Sequence, residues 1–352
     1  MADLKKISVI IPAYNAERFI NKCVESLLNQ SYKNVEIVIV INGSQDATPQ
    51  ICEELAAKYN NIKLVKLNPN QGTNWARRAG FEASSGEYIT FSDSDDYIEP
   101  EAYEKAIKVI EANNLDIVQF GTFFITPDGR VLGEDRPEQI KLNNSRDNFF
   151  YALTLAGALW NKVYKRSVFE NIEWPKLTHF EDTPMLIQLL AHAKNFMTMS
   201  EPFYYWVQNP GSGCHRPDMS KFKADADTST SFMVDFTRKN FPEFLPEILW
   251  RRLLIIERVF MDYAAAHESD GVSRQDRREN LKILNQDIRK IYAEFNAALK
   301  EQNSTISDRP TLNGRQVILD KMRAKTFVFA HFPRAAVLYS KLRFKIRELT
   351  ER

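Results

Sequence analysis

The sequence predicts an α/β protein in which a mainly parallel central sheet is followed by a mostly helical C-terminal region. Three observations predict it. Short apolar, β-rich runs alternate with longer amphipathic stretches from Lys6 to about Phe120, as βαβ units do. Each apolar run stops at a turn residue, and from Pro217 onward long helical patterns replace the strand-like ones. At 352 residues with 44% hydrophobic content, the chain can bury one large domain plus an appendage, or two domains.

Ile7-Ser8-Val9-Ile10-Ile11 reads as the first strand and ends at Pro12; Val35 to Ile41 ends at Asn42-Gly43. Ile62 to Leu67 ends at Asn68-Pro69, and Tyr88 to Phe91 ends at the acidic run Asp93-Ser94-Asp95-Asp96. Between them, Glu17 to Asn29, Thr48 to Tyr59 and Thr73 to Ala83 carry apolar residues at helical spacing, as Phe19, Cys23 and Leu27 do, and read as crossover helices. A helix over Glu101 to Asn113 and a strand over Asp116 to Phe120 continue the series. The pattern weakens between Gly121 and Asp147, where Thr126-Pro127-Asp128-Gly129 reads as a turn, and a second organised block runs from Asn148 to Arg216. Leu245 to Ala266 and Arg274 to Lys300 read as helices, and the polar segment Gln302 to Asn313 as a link or bend. The expected division is a domain over 1–216, in two halves 1–98 and 99–216, and a helical region over 217–352.

A formal net charge of +1, from 47 Lys+Arg and 46 Asp+Glu, gives no polyelectrolyte character, so no nucleic acid partner is expected. Cys23, Cys52 and Cys214 lie far apart without a CxxC, which argues against a zinc site or disulfide scaffold and fits a reducing, cytoplasmic setting. The N-terminal apolar stretch is too short for a signal peptide. No run approaches the roughly 18 to 20 apolar residues of a spanning helix, so the chain is expected to be soluble or peripheral on the inner membrane face.

In open α/β sheets, ligands sit beyond the carboxyl ends of the strands. Pro12-Ala13-Tyr14-Asn15, Asn42-Gly43-Ser44 and Asp93-Ser94-Asp95-Asp96 all fall at such ends and suggest one site. No GxGxxG follows the first strand and no GxxxxGK[ST] occurs, so the common phosphate cradles are absent and phosphates need another partner. Two carboxylates spaced DxD on a tight turn can present oxygens to Mg²⁺ or Mn²⁺, whose shell phosphate oxygens complete. The competing reading of the acidic run is a helix cap, with Asp95 or Asp96 capping the helix near Glu99-Pro100-Glu101.

Ile7 to Asn15, Val38 to Ser44, Asn70-Gln71-Gly72 through Ala76-Arg77, and Gly86 to Asp96 together resemble the inverting family 2 glycosyltransferases of the GT-A fold. The resemblance continues through Trp160 to Ser167 and Phe180-Glu181-Asp182 to Tyr204-Tyr205-Trp206, covering roughly the first 210 residues. It implies a GT-A domain whose half 1–98 binds a sugar nucleotide, a UDP-sugar being favoured, and whose half 99–216 binds a glycan or lipid-linked glycan acceptor. Pro12, Ala13 and Tyr14 would line the nucleobase and ribose pocket; Asn42 stands where the family's base-contacting acid usually is, which weakens uracil specificity. Asp93 and Ser94 would face the donor, Asp95 the metal, and Arg77 the donor side, while Arg78 replaces a more usual asparagine.

The resemblance also implies that Asp182, beside Glu181, is the carboxylate base that takes the acceptor hydroxyl's proton. The alternative is that both acids open a helix, where negative charge suits the dipole. Trp160 and Lys162 are expected to shape the acceptor pocket, unless the tryptophan is core. His215 would join the metal, or be a surface-loop histidine; His179 would contact donor phosphate or acceptor. Bacterial surface polysaccharide or lipid-linked glycan assembly is the family's expected setting.

From Lys321 to Arg352 nine Lys or Arg face two Glu, interleaved with Phe327, Phe329, Phe332, Leu338 and Phe344. Such a basic amphipathic tail lies on an anionic membrane surface or packs on the protein or on a second subunit, giving a homodimer. Two other functions compete: a catalytically altered binding or scaffold protein, motivated by Asn42 and Arg78, and a nucleotidyltransferase, ranked last for want of a Gly-rich loop after the first strand.

Overall fold

Strand β1 (Ile7–Ala13) is buried along its whole length apart from Pro12, which is why its sequence runs apolar without alternation. It pairs in parallel with β2 (Val35–Asn42) on one edge and β4 (Tyr88–Phe91) on the other, and β3 (Ile62–Leu67) extends the sheet beyond β2. The crossovers are α1 (Ile20–Leu28), α2 (Thr48–Lys58) and α3 (Thr73–Ala83). Residues 4–154, 157–209, 219–266 and 272–302 are described by this computed structural model. The chain divides into two compact units, Met1–Arg216 and Pro217–Arg352.

Pro12 does not end the first strand, as the sequence suggested; it lies inside β1, paired with Val40. The Ile10 carbonyl accepts from Ser92 N at 3.1 Å, so the hydrogen-bonding edge of residues 10 and 12 faces β4. The β4 register stops at Ile10, and the proline's missing N–H therefore costs no ladder bond. Close packing of α3 on this sheet depends on Gly80, where a Cβ would stand 2.4 Å from Ile10 Cγ2.

The rest of the sheet is built from β5 (Tyr97–Ile98), β6 (Ile117–Ile125), β7 (Val131–Asp135), β8 (Lys141–Leu142), β9 (Lys162–Lys165) and β10 (Phe196–Val207). The helices α4 (Ala102–Asn113), α5 (Ser145–Thr154) and α6 (Asp182–His192) are interleaved with them. The strand order is β3-β2-β1-β4-β9-β6-β10-β5, with β7 paired to β6 and β8 to β10. β9 is antiparallel to both β4 and β6, and so joins the parallel strands β1 to β4 to the parallel pair β6 and β10. β6 runs five residues past Phe120 because Thr122 to Ile125 pair with Tyr204 to Val207. The sequence pattern hid β7: Val131 and Leu132 are 56% and 54% exposed, so neither face alternates.

Asp96 is not a helix cap. β5 separates it from α4, whose first turn has no side-chain cap, and its carboxylate instead accepts from Tyr204 Oη and Val207 N, both at 2.8 Å. The acidic turn is thereby bolted to β10.

The second unit is described by itself. In α7 (Met219–Asn240), Phe222, Ala226, Met233 and Val234 recur at helical spacing on a buried face. α8 (Leu245–Ala265) packs on α7 and α9 (Arg274–Gln302); its Leu249, Leu253, Ile256 and Phe260 are buried, as are Leu284, Ile288, Ile291 and Phe295 of α9, and Trp250 meets Phe295. No helix among the described residues is long and apolar enough to cross a membrane. His215, Cys214 and the basic tail 321–352 lie outside the described residues.

Candidate active site

The loops after β1 and β2 are tied to each other. Asn15 N donates to Ser44 Oγ at 3.1 Å, and Asn15 Oδ1 accepts from Gln45 N at 2.9 Å, with Asn15 held at φ 49°. This brings Pro12, Ala13 and Tyr14 to the same sheet edge as Asn42; Ala13 is buried and Tyr14 is 48% exposed, its ring free to meet a ligand. Gly43, at φ 71°, is required there, since a Cβ would stand 2.4 Å from Asn70 N.

Asn42 is buried and fully engaged with the loop after β3. Its Nδ2 donates to Asn70 Oδ1 (3.1 Å) and Gly72 O (3.3 Å), and its Oδ1 accepts from Gln71 N at 2.9 Å. Asn70 Oδ1 also accepts from Gly72 N, which fixes it as an oxygen and so fixes which end of Asn42 donates. A carboxylate could not supply the donor. The amide at this position thus has a structural cause, whatever base is bound.

Arg77 gathers the acids. Its guanidinium, 2% exposed, donates from Nη2 to Asp93 Oδ1 at 3.1 Å and from Nη1 to Glu181 Oε1 at 3.1 Å, and also from Nη1 to Asp182 Oδ1. One buried cation on α3 therefore holds three carboxylates, one from the acidic turn and two from the start of α6. Burial raises the Asp182 carboxyl above the ordinary carboxylate range, Arg77 pulls it back and Asp93 raises it again. Glu181 is raised as well, by burial and then by Asp182. Phe180 precedes them at φ 57°, a conformation costly for a bulky side chain, and it sets the direction in which Glu181 and Asp182 leave the loop. The sequence placed Arg77 on the donor side; the structure sets it between the acidic turn and the start of α6.

Asp95 and Ser94 are half-buried at the tip of the turn. The Asp95 carboxyl is pushed up to about 6 by burial and by Asp93, and the Asn209 side chain bonds it. Beneath the turn, Asp93 N donates to Tyr204 Oη at 3.0 Å and that hydroxyl donates to Asp96. Trp160 stacks on Tyr204 with centroids 4.3 Å apart and planes at 17°.

Trp160 is thus core, 9% exposed, and shores up the acidic turn where an acceptor contact was expected. Lys162 is likewise no open pocket wall: it is buried, and its Nζ donates to Ala158 O and Asn161 Oδ1, both at 2.7 Å. Burial pushes it down to about 7, opposed by the nearby Asp182 charge. His179 is half-buried in the loop before Phe180. Arg78 pairs with Glu82 at 2.8 Å and lies over the Trp75 ring, so its departure from asparagine serves the helix surface. Tyr204 had no role in the sequence reading; the only signal was its place in an aromatic run.

Among the described residues no three His, Cys, Asp or Glu side chains converge to hold a metal by themselves. The donor set still fits a cation that phosphate oxygens complete: Asp93 and Asp95 lie two residues apart on one turn, and after burial the Asp93 charge also raises the Asp95 carboxyl. Mg²⁺ and Mn²⁺ take sites of one or two carboxylates plus phosphates.

The Glycosyl transferase family 2 model matches residues 8–173. An uncharacterized glycosyltransferase of Haemophilus influenzae is 32% identical over 197 residues, covering 55% of this chain and 75% of its own. The uncharacterized glycosyltransferase EpsJ of Bacillus subtilis is 30% identical over 221 residues, 58% of this chain and 62% of EpsJ. The chain spans about three fifths of the length of the Bacillus relatives it matches. The crystal structure of S. aureus TarS 1-349 in complex with UDP-GlcNAc superposes with a TM-score of 0.52 at 22% identity, covering 81% of this chain and 92% of that one. The mainly parallel sheet with its flanking helices is the GT-A fold, shared with TarS. The chain belongs to glycosyl transferase family 2.

Proposed function

We propose that this protein transfers a sugar from a nucleoside-diphosphate sugar, a UDP-sugar first among them, to a hydroxyl of a glycan or lipid-linked glycan, with inversion. The observation that carries the reading is the Arg77 bridge, which fixes Asp182 beside the acidic turn. Asp182 takes the proton of the acceptor hydroxyl as that oxygen attacks the anomeric carbon and the bonding pair leaves with the diphosphate. Its raised carboxyl makes a stronger base than an ordinary aspartate, while Arg77 keeps it ionised. Glu181 supports it within the same cluster. Pro12, Ala13, Tyr14, Asp93 and Ser94 hold the nucleoside and donor sugar at the sheet edge. Asp95 would hold Mn²⁺ or Mg²⁺, whose chemistry is neutralisation of the departing diphosphate.

The scaffold reading loses its motive, because Asn42 and Arg78 both have local structural causes. An acceptor carried on a lipid suits the basic tail, and vesicle flotation with and without residues 321–352 tests that part separately. The central test is a panel of UDP-, GDP- and CDP-sugars with Mn²⁺, beginning with the UDP-GlcNAc bound by TarS. Asp182→Asn should lower transfer about 10²- to 10⁴-fold while nucleotide binding persists. Asp95→Ala should remove the Mn²⁺-dependent part of the thermal stabilisation by the nucleotide. Normal turnover by either variant would sink the assigned roles.

A further inference from the structure

β10 presents its aromatic residues alternately to the two faces of the sheet. On one face Tyr97, Tyr205 and Phe123 stack ring on ring, with centroids 4.4 and 4.8 Å apart and both interplanar angles 19°. The Lys22 ammonium covers the end of that stack, 3.8 Å from the Tyr97 centroid. Those ring faces are consumed by one another. On the face of Tyr204 and Trp160, the geometry differs. Trp206 meets Phe124 at 62° and 5.7 Å, and Trp160 at 41° and 6.0 Å, so its neighbours do not cover the indole by parallel stacking.

Two further observations concern the same patch. Phe124 is half-buried and lies opposite Gly133 of β7, where an added Cβ would stand 3.9 Å from Phe124 Cδ2, so β7 sets no side chain over the ring at that position. Among the described residues Gln208 Nε2 is a buried donor with no hydrogen-bond partner, an arrangement costly enough to point to an acceptor that arrives from outside the chain. The segment bearing Trp206 and Gln208 is fastened to the acidic turn: Val207 N donates to Asp96, and the Asn209 side chain bonds Asp95.

We propose that Trp206, Phe124 and Gln208 form an acceptor subsite that takes one pyranose ring of the acceptor glycan. The ring's C–H face, slightly positive, lies against the electron-rich faces of the indole and phenyl groups. A ring hydroxyl oxygen accepts from Gln208 Nε2. Apolar walls with few polar contacts are the usual composition of a small-ligand site. The inference rests on the glycosyltransferase reading above and names the groups that would hold the acceptor.

The test uses the full chain without donor. Methyl α- and β-glycosides of glucose, galactose and N-acetylglucosamine are titrated by saturation-transfer NMR and tryptophan fluorescence, with glycerol as the control that has no ring. At least one glycoside should bind, and Trp206→Ala should weaken it tenfold or more. Gly133→Leu, which removes no contact and covers Phe124, should do the same; Gln208→Leu should cost about threefold. Melting temperature and stabilisation by UDP with Mn²⁺ report folding in every variant. Unchanged glycoside affinity in folded Trp206→Ala and Gly133→Leu would overturn the subsite, as would the absence of glycoside binding by the unaltered chain. Failure of the functional reading is read elsewhere, in the donor panel, so the two failures are distinguishable.

Discussion

Arg77 Nη2 lies 3.1 Å from Asp93 Oδ1, joining the middle of α3 to the acidic turn through a side chain that is 2% exposed. The same guanidinium holds Glu181 and Asp182, so its removal takes from three acids the one cation they share. Arg77→Met should cost about 3–5 kcal/mol of stability near pH 8, the usual result of breaking a buried ion pair by deleting one partner. Lowering the pH to 5.5 should shrink the deficit, because acids already raised by burial take up protons once the cation is gone. Urea unfolding at the two pH values measures this. An equal deficit at both would show that the cluster is not what Arg77 holds.

Lys162 gives a stability prediction of definite sign. The folded chain releases its proton at about 7, whereas an exposed lysine keeps it to about 10.4. Between those values the unfolded state binds more protons, so this group's contribution to stability rises with pH, by at most about 1.4 kcal/mol per unit, and is flat below 7. Comparing unfolding of the unaltered chain and Lys162→Met at pH 6, 7.5 and 9 should show the former gaining only above 7. Lys162 also lowers the Asp182 carboxyl, so in Lys162→Met the acid limb of kcat/KM should move to higher pH. Asp93→Asn should move it the other way. Limbs that stay together would separate Asp182 from the rate-controlling base.

Asn42→Asp restores the acid usual in the family and should be a poor exchange here. The new carboxylate cannot donate to Asn70 Oδ1 or Gly72 O, and it would face both as a repelling acceptor. A loss of about 1–3 kcal/mol is expected. Asn42→Asp combined with Asn70→Ser, which replaces the side-chain amide that faces it, should recover part of it. Chemical denaturation of the single and double variants decides, and a stability unchanged by Asn42→Asp would mean that the loop after β3 does not depend on this amide.

Tyr204→Phe keeps the ring on Trp160 and deletes only the hydroxyl between Asp93 N and Asp96 Oδ2. The buried Asp96 carboxyl would lose one of its two donors. The expected cost is about 1–3 kcal/mol, together with a weaker response to Mn²⁺ plus nucleotide as the turn loosens. Tyr204→Leu should lose more, since the stack goes too. If Tyr204→Phe binds nucleotide and metal as before, the hydroxyl does not order the turn.

The sheet of β1 to β4 was legible because each strand there is a short apolar run followed by a polar turn, and each crossover is amphipathic. The second half was not. β7 is exposed along both faces, so it carries no alternation to read. β5 is two residues long and exists because Asp96 and Ile98 are held against β10.

The acidic run and Phe180-Glu181-Asp182 were visible as motifs by themselves. Their connection was not: Arg77 and Asp182 are 105 residues apart, and no local spacing tells which charge meets which.

Sequence alone determined the fold class and the polar turns that follow the strands, the acidic run among them, since both follow from local patterning. Tertiary structure decided which partner each acid meets. It turned Asp96 from a cap into an anchor, Trp160 and Lys162 from pocket walls into support, and Asn42 from a base contact alone into the clasp of a loop. The physical reason is that these roles depend on burial and on partners distant in the chain, and a buried polar group takes whatever partner the packed fold brings within hydrogen-bonding distance.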